Sequence, residues 1–259
     1  MIQLSNLIDA SIQTNQIEDI PLTAVIDTAL CVGAGGSSGS QADKPLLKTA
    51  NGRLVIPASQ LKGRLRHECE KLTRALHFPT CESPVAQTMC PQIGLTDSAF
   101  SRDAYDVGKS FADGRKQHHC LICQMFGNPA LPARIQFSDL VCVEPPENTP
   151  EVLRPGVTIN RRRRTAEEKK LYFLETSPAN AQLRFTGSIT LEPGSPNFTK
   201  LLLIAGLKHI HALGGSKSTG LGWLHWDSPL FNHPIEQTAW DSLQQPASDA
   251  APSATEEAS

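Results

Sequence analysis

Residues 195–226 read SPNFTKLLLIAGLKHIHALGGSKSTGLGWLHW, and the order of elements within them decides the fold. Ser195 stands where a helix N-cap belongs, Pro196 at the first helical position, and Gly214 just past the end of the apolar run, so the first half predicts a helix. Residues 221–226 alternate and carry two tryptophans, which predicts a strand. Between them lie Gly214, Gly215, Gly220 and Gly222 with Ser216, Lys217, Ser218 and Thr219, a composition suited to phosphate. A nucleotide-binding P-loop puts its glycines before the lysine and opens a helix. Here glycines follow Lys217 and a strand comes next. The loop is therefore read as backbone lying against a nucleic-acid chain. The competing reading is a long helix-to-strand turn whose glycines supply positive φ.

Working outward, residues 183–191 (LRFTGSITL) alternate with Leu183, Phe185, Gly187, Ile189 and Leu191 on one face, a predicted strand. Residues 133–143 predict another, and residues 22–32 a first one that runs into the flexible stretch GAGGSSGSQADKP. After a short extended piece ending at Pro57, Ser59 is placed to cap a helix through about Leu76, with Leu61, Leu65, Cys69, Leu72 and Leu76 on one face. With two insertions removed, the order is β-α-β-β-α-β. That predicts an α+β protein with a ferredoxin-like, RRM-like core. RRM sheets stack bases on paired aromatics. This chain has only 5% aromatic residues and no such pair, so RNA contact is expected from loops and insertions.

At 259 residues and 39% hydrophobic content, the chain can bury a core as one domain carrying insertions. No segment reaches membrane-spanning length and no basic start precedes an apolar run, so a cytoplasmic protein without membrane contact is expected. The formal net charge of −2 hides an uneven spread. Residues 236–259 hold five acids and no Lys or Arg, leaving 24 basic and 21 acidic residues in 1–235. The expected organisation is one domain over 1–235, insertions at about 77–132 and 150–180, and a disordered acidic tail over 236–259. Basic residues cluster as Lys62, Arg64, Arg66, Lys71 and Arg74, and again as Arg161, Arg162, Arg163 and Arg164 with Lys169 and Lys170. Such local stripes make a phosphate-binding footprint.

Seven cysteines in a reducing compartment point to thiols or metal ligands. Cys120 and Cys123 have zinc-knuckle spacing, and Cys81 and Cys90 lie upstream in the same weakly periodic insertion. Four thiolates close a tetrahedral zinc site, and a structural metal is what such a segment needs to fold. His67 or His118 could replace one cysteine. Cys31, Cys69 and Cys142 are read as core thiols. The arginine run is either a solvated face, partly neutralised by Glu167 and Glu168, or an RNA contact, since guanidinium binds phosphate by a planar fork and stacks on bases.

The segments VIPASQLKGRLR, CLICQMFGNP, ARIQFSDL and LGGSKSTGLGW resemble, in order and spacing, the signature segments of the RAMP superfamily of CRISPR-associated proteins. Among these the chain is most similar to the backbone subunit of type III effector complexes, with a departure at Ala58 and Gln60. The resemblance implies a subunit that stacks along a CRISPR guide RNA beside other subunits of the complex. It implies that Ser59, Lys62, Arg64 and Arg66, with Gly214, Gly215, Ser216, Lys217, Ser218 and Gly220, hold the guide. It further implies that the arginine insertion is a thumb-like hairpin entering the duplex of guide and complementary target RNA, and that a zinc site lies in the cysteine insertion. In members that cut target RNA an aspartate precedes a proline in the first loop. Asp43 in ADKPLL matches that place and would work with Mg²⁺ or Mn²⁺. The alternatives are an architectural subunit without catalysis, a metal-independent guide-processing endoribonuclease using His209 or His211, and a zinc-ribbon DNA-binding regulator.

Overall fold

The computed structural model describes residues 16–33, 42–101, 103–196 and 198–231. The expected tail over 236–259 and most of the glycine-rich stretch of the first loop lie outside them. The centre is an antiparallel pair, β1 (Glu18–Ile26) against β9 (Leu183–Leu191), in register with Leu22 opposite Gly187. Ile20, Leu22, Ala24 and Ile26 of β1, with Leu183, Phe185, Ile189 and Leu191 of β9, are buried in one core with two helices, α1 (Ala58–Ala75) and α3 (Phe198–Lys208). The period-2 pattern thus places one sheet face against the helices. The helices approach closely at Gly206, where a Cβ would stand 2.7 Å from Leu65 Cδ1 and 2.8 Å from Cys69 Sγ.

The main sheet runs β10 (Leu224–Asp227), β1, β9, β6 (Leu140–Cys142), β2 (Val55–Ile56), with β5 (Ile135–Phe137) also on β9, and every pair is antiparallel. The fold is mixed α and β. Two further two-stranded sheets stand apart: β3 (Asp106–Ser110) with β4 (Lys116–His118), and β7 (Val152–Asn160) with β8 (Thr165–Thr176). A short helix, α2 (Leu121–Phe126), follows β4. Among the described residues no helix is long and apolar enough to cross a membrane.

Several expected boundaries moved, each for a tertiary reason. The first strand ends at Ile26 rather than at 32. Beyond it, Ala29 and Cys31 carbonyls accept from Gly222 and Gly215, and Leu30 N–H donates to Ser177 Oγ. The strand expected over 133–143 is broken between β5 and β6. There Ser138 N–H donates to Ser188 O, Ser138 Oγ accepts from Ser188 N–H, and Asp139 swings out. Ser59 does not cap α1. Pro57 holds the N-cap position without a side-chain cap bond, and the orphan N–H of Ala58 donates to Asp139 Oδ1 at 2.7 Å. Nor does Ser195 cap α3: its hydroxyl donates to Glu192 O. The helix stops at Lys208, because Ile210 and His211 carbonyls accept from Trp226 Nε1 and Leu224 N–H.

Candidate metal centre and nucleic-acid interface

Cys81, Cys90, Cys120 and Cys123 are all buried, and their sulfurs lie within 4.8 Å of one another. Cys81 Sγ stands 3.5 Å from Cys123 Sγ and 3.7 Å from Cys120 Sγ. Four sulfurs at about 2.3 Å from one zinc would stand about 3.8 Å apart in a tetrahedron, so the cluster fits the ion it was predicted to hold. The site is assembled from distant pieces. Cys81 follows the turn after α1, Cys120 lies two residues past β4 at the N-cap of α2, and Cys123 lies within α2. Hydrogen bonding with Cys120, Cys123 and Cys90 holds the Cys81 thiol well below its ordinary range, while contacts with Cys120, Cys123 and Cys81, together with burial, push Cys90 up. Four such thiols cannot ionise together without a cation among them. These four cysteines therefore form a site able to hold a metal such as zinc. His67 is exposed and His118 half-buried, and neither joins the cluster.

The remaining cysteines behave as core thiols. Burial pushes Cys69 up to about 12, and its Sγ donates to Leu202 O. Cys142 is buried in β6, and Cys31, though buried, lies outside any strand. Beside the cluster, His119 is fully buried; its Nδ1 accepts from Asn128 Nδ2 at 2.9 Å, and Nε2 has no partner among the described residues. Burial, then Lys109, lowers His119 to about 4, so it is neutral at pH 7.

The basic face of α1 is mostly committed within the protein. Arg64 and Lys71 both pair with the buried Glu68, at 2.9 and 3.3 Å, and Arg74 donates to Cys81 O. Arg66 donates from Nε to Glu70 Oε1 at 3.0 Å, from Nη1 to Gly127 O at 2.9 Å and from Nη2 to Cys123 Sγ at 3.8 Å. Exposed Ser59 and half-buried Lys62 have no side-chain partner among the described residues.

The glycine loop divides in two. Gly214 and Gly222 are packing residues. At φ +88° a Cβ on Gly214 would stand 2.5 Å from Cys31 O, and at φ +72° a Cβ on Gly222 would overlap Leu213 O. Gly220 differs, for at φ +88° it faces open space. Gly215, Ser216, Lys217, Ser218 and Thr219 are exposed with it. Ser216 has φ +53°, Lys217 Nζ donates to Gly214 O at 3.1 Å, and Thr219 Oγ1 donates to Ser216 O. The N–H groups of Ser216, Lys217 and Ser218 find no acceptor among the described residues. The ends of this stretch are therefore a closely packed turn, and its middle is exposed, with three N–H groups that find no acceptor among the described residues.

Arg161, Arg162, Arg163 and Arg164 form the tip of the β7–β8 hairpin. All four are exposed, and none of their guanidinium groups takes a partner among the described residues. Asn160 fixes the tip, its Oδ1 accepting from the N–H of Arg162 and of Arg163, and Arg164 sits at φ +55°. Asp43 meets the other end of this hairpin. Its N–H donates to Phe173 O at 3.0 Å, and its Oδ2 accepts from Phe173 N–H at 2.8 Å. Lys44 continues the contact as a parallel bridge to Leu174. Asp43 was expected in a flexible loop, but instead fastens that loop to β8 while its side chain stays exposed. Arg66's bond to Cys123 and Asp43's bond to Phe173 join residues 57 and 130 positions apart; no local pattern signals either. The same holds for Asp27, which pairs with His225 Nδ1 at 3.2 Å.

The structure thus defines a mixed α and β protein with a buried cysteine centre and exposed arginines at a hairpin tip. Residues 23–225 match the family model of the RAMP superfamily, so the chain belongs to that superfamily. Membership makes it a CRISPR-associated RNA-binding protein, with CRISPR RNA and other CRISPR-associated subunits as partners. No curated protein matches it.

Proposed function

We propose that the chain is a backbone subunit of a type III CRISPR ribonucleoprotein that holds the guide RNA and cleaves the paired target RNA. The observation that carries RNA holding is the hairpin tip, where four adjacent arginines stand exposed without a protein partner. Four adjacent cations so placed are available to an external anion, and guanidinium suits phosphate and base faces together. Val157, Ile159, Leu171 and Tyr172 along the same hairpin are also exposed, which suits insertion between bases. Lys62 and the exposed stretch from Gly215 to Gly220 would hold guide phosphates, with Ser59 beside them. Gly214 shapes that loop from beneath. The order β10-β1-β9-β6 with two helices on one face supports a ferredoxin-like core. The cysteine centre would carry a structural zinc, its four sulfurs supplying a closed tetrahedral set.

Cleavage would rest on Asp43. Oδ2 is held by Phe173 N–H, which fixes the carboxylate and leaves Oδ1 toward solvent to orient a hydrated Mg²⁺ or Mn²⁺ near the attacking 2′-OH. The same bond favours a second reading, in which Asp43 only braces the hairpin and the subunit is architectural. RNA binding is tested by the salt dependence of affinity. Replacing Arg162 and Arg163 with Ala should weaken binding alike for all sequences and reduce the salt slope by about two. An unchanged slope would assign the run to a solvated face.

A further inference from the structure

We propose that Arg66 is a positioning residue of the cysteine centre and not an RNA contact: its guanidinium is the charge partner of the Cys123 thiolate and fastens the metal-holding segment to α1. This rests on the reading of the four cysteines as a metal site.

The geometry is that of a fork used on all its edges. Nε is fixed by Glu70, one turn along the same helix, at 3.0 Å. With the plane so set, Nη1 reaches Gly127 O at 2.9 Å and Nη2 reaches Cys123 Sγ at 3.8 Å. These two acceptors span the C-terminal part of α2, because Cys123 lies within it and Gly127 is its C-cap and donates its own N–H to Cys123 O. Gly127 also admits no side chain: at φ +78° a Cβ there would stand 2.6 Å from Ala133 N. One guanidinium therefore grips both the ligand residue and the end of the helix that carries it.

Electrostatics gives the grip a purpose. Four thiolates around a divalent cation leave an excess of about two negative charges, and these sulfurs are buried. Buried charge is costly unless it is paired and hydrogen-bonded. Among the described residues Arg66 is the cation in hydrogen-bond contact with a cluster sulfur, and its side chain is only 21% exposed. A lysine could not serve in the same way, since an ammonium lacks the planar fork that spans Glu70, Gly127 and Cys123 together. Outer partners of this kind orient metal ligands and tune their charge. Because α1 also carries Lys62, the tie joins the metal segment to the helix edge assigned to guide phosphate.

The test titrates the metal-free full chain with cobalt(II), following the thiolate-to-cobalt absorption, for wild type, Arg66→Met and Arg66→Lys. Arg66→Met should weaken cobalt affinity about 10- to 100-fold and shift the absorption band, with Arg66→Lys recovering part of the affinity. Its RNA salt slope should equal that of wild type. Should Arg66→Met fail to fold, Arg66→Lys carries the comparison, with weakened loading expected. Wild type and the folded variant loading cobalt equally tightly would overturn the assignment, as would a salt slope reduced by about one. A wild-type protein that takes up no cobalt would instead overturn the metal reading, and this one with it.

Discussion

Replacing Gly222 with Ala should cost far more stability than replacing Gly220, although both glycines sit in one loop at positive φ. Gly220 has φ +88° with nothing within 4 Å of a Cβ. Its substitution meets only the left-handed backbone penalty, about 1–2 kcal/mol. Gly222, at φ +72°, meets the same penalty and a Cβ overlapping Leu213 O. Relief requires moving a backbone that donates to Ala29 O at 2.8 Å and accepts from Leu213 N–H at 2.9 Å. Both contacts are buried, and each lost bond costs about 1 kcal/mol or more. The sum is about 3–5 kcal/mol, a large share of the stability of an ordinary domain. Urea unfolding reads this as a midpoint shift at constant slope. RNA affinity, measured where both variants are folded, should move the other way. Gly220→Ala sets a methyl on the surface assigned to guide phosphate and should weaken binding, whereas the folded fraction of Gly222→Ala should bind nearly as wild type. Equal midpoint shifts for the two variants would refute the division of the loop into packing and ligand-facing glycines.

Three further outcomes are expected. Changing Cys120 and Cys123 together to Ser should abolish metal uptake and unfold the segment around α2 while leaving β1–β9 protected, read by metal analysis and hydrogen exchange; a fully folded metal-free wild type would contradict this. Asp43→Asn keeps an oxygen to accept from Phe173 N–H and Asp43→Ala does not. If Asp43 is catalytic, both should cut target RNA more slowly by about 10² to 10⁴; if it only braces the hairpin, Asp43→Asn should cut as wild type. Finally, His119 is held below its ordinary value, so the unfolded chain takes up the proton first. Its contribution to stability is whole above about pH 6.5 and is lost as pH falls toward about 4. The urea midpoint should fall across that window, and less so in His119→Gln.

The sequence carried the alternating strand over 183–191 with its end residues unchanged, because every inward residue there meets the same core. It carried the apolar stripe of α1 through Leu61, Leu65 and Cys69 for the same reason. The cysteine centre was legible because ligand spacing is local within Cys120–Cys123 and because Cys81 and Cys90 lie in the same weakly periodic segment. Element ends were not legible where a distant group supplies the bond. Asp139 caps α1 from 81 residues away, and the carbonyls of Ala29 and Cys31 leave the strand to hold the glycine loop. Charge clusters misled in part. Five basic residues on α1 read as one RNA-facing edge, yet Arg64, Arg66, Lys71 and Arg74 find partners inside the protein. The arginines of the hairpin tip differ, for they are exposed and take no side-chain partner among the described residues.

The central claim is that this RAMP-superfamily chain grips RNA through the middle of its glycine loop and the tip of its hairpin. Photo-crosslinking of the full chain to its bound RNA, with the attached peptides identified by mass spectrometry, tests it most directly. The account predicts crosslinks at residues 215–220, at Arg161, Arg162, Arg163 and Arg164, and at Lys62, with none at Arg66 or within the cysteine segment. Crosslinks confined to the β3–β4 sheet and α2, or a protein that binds no RNA at all, would contradict it.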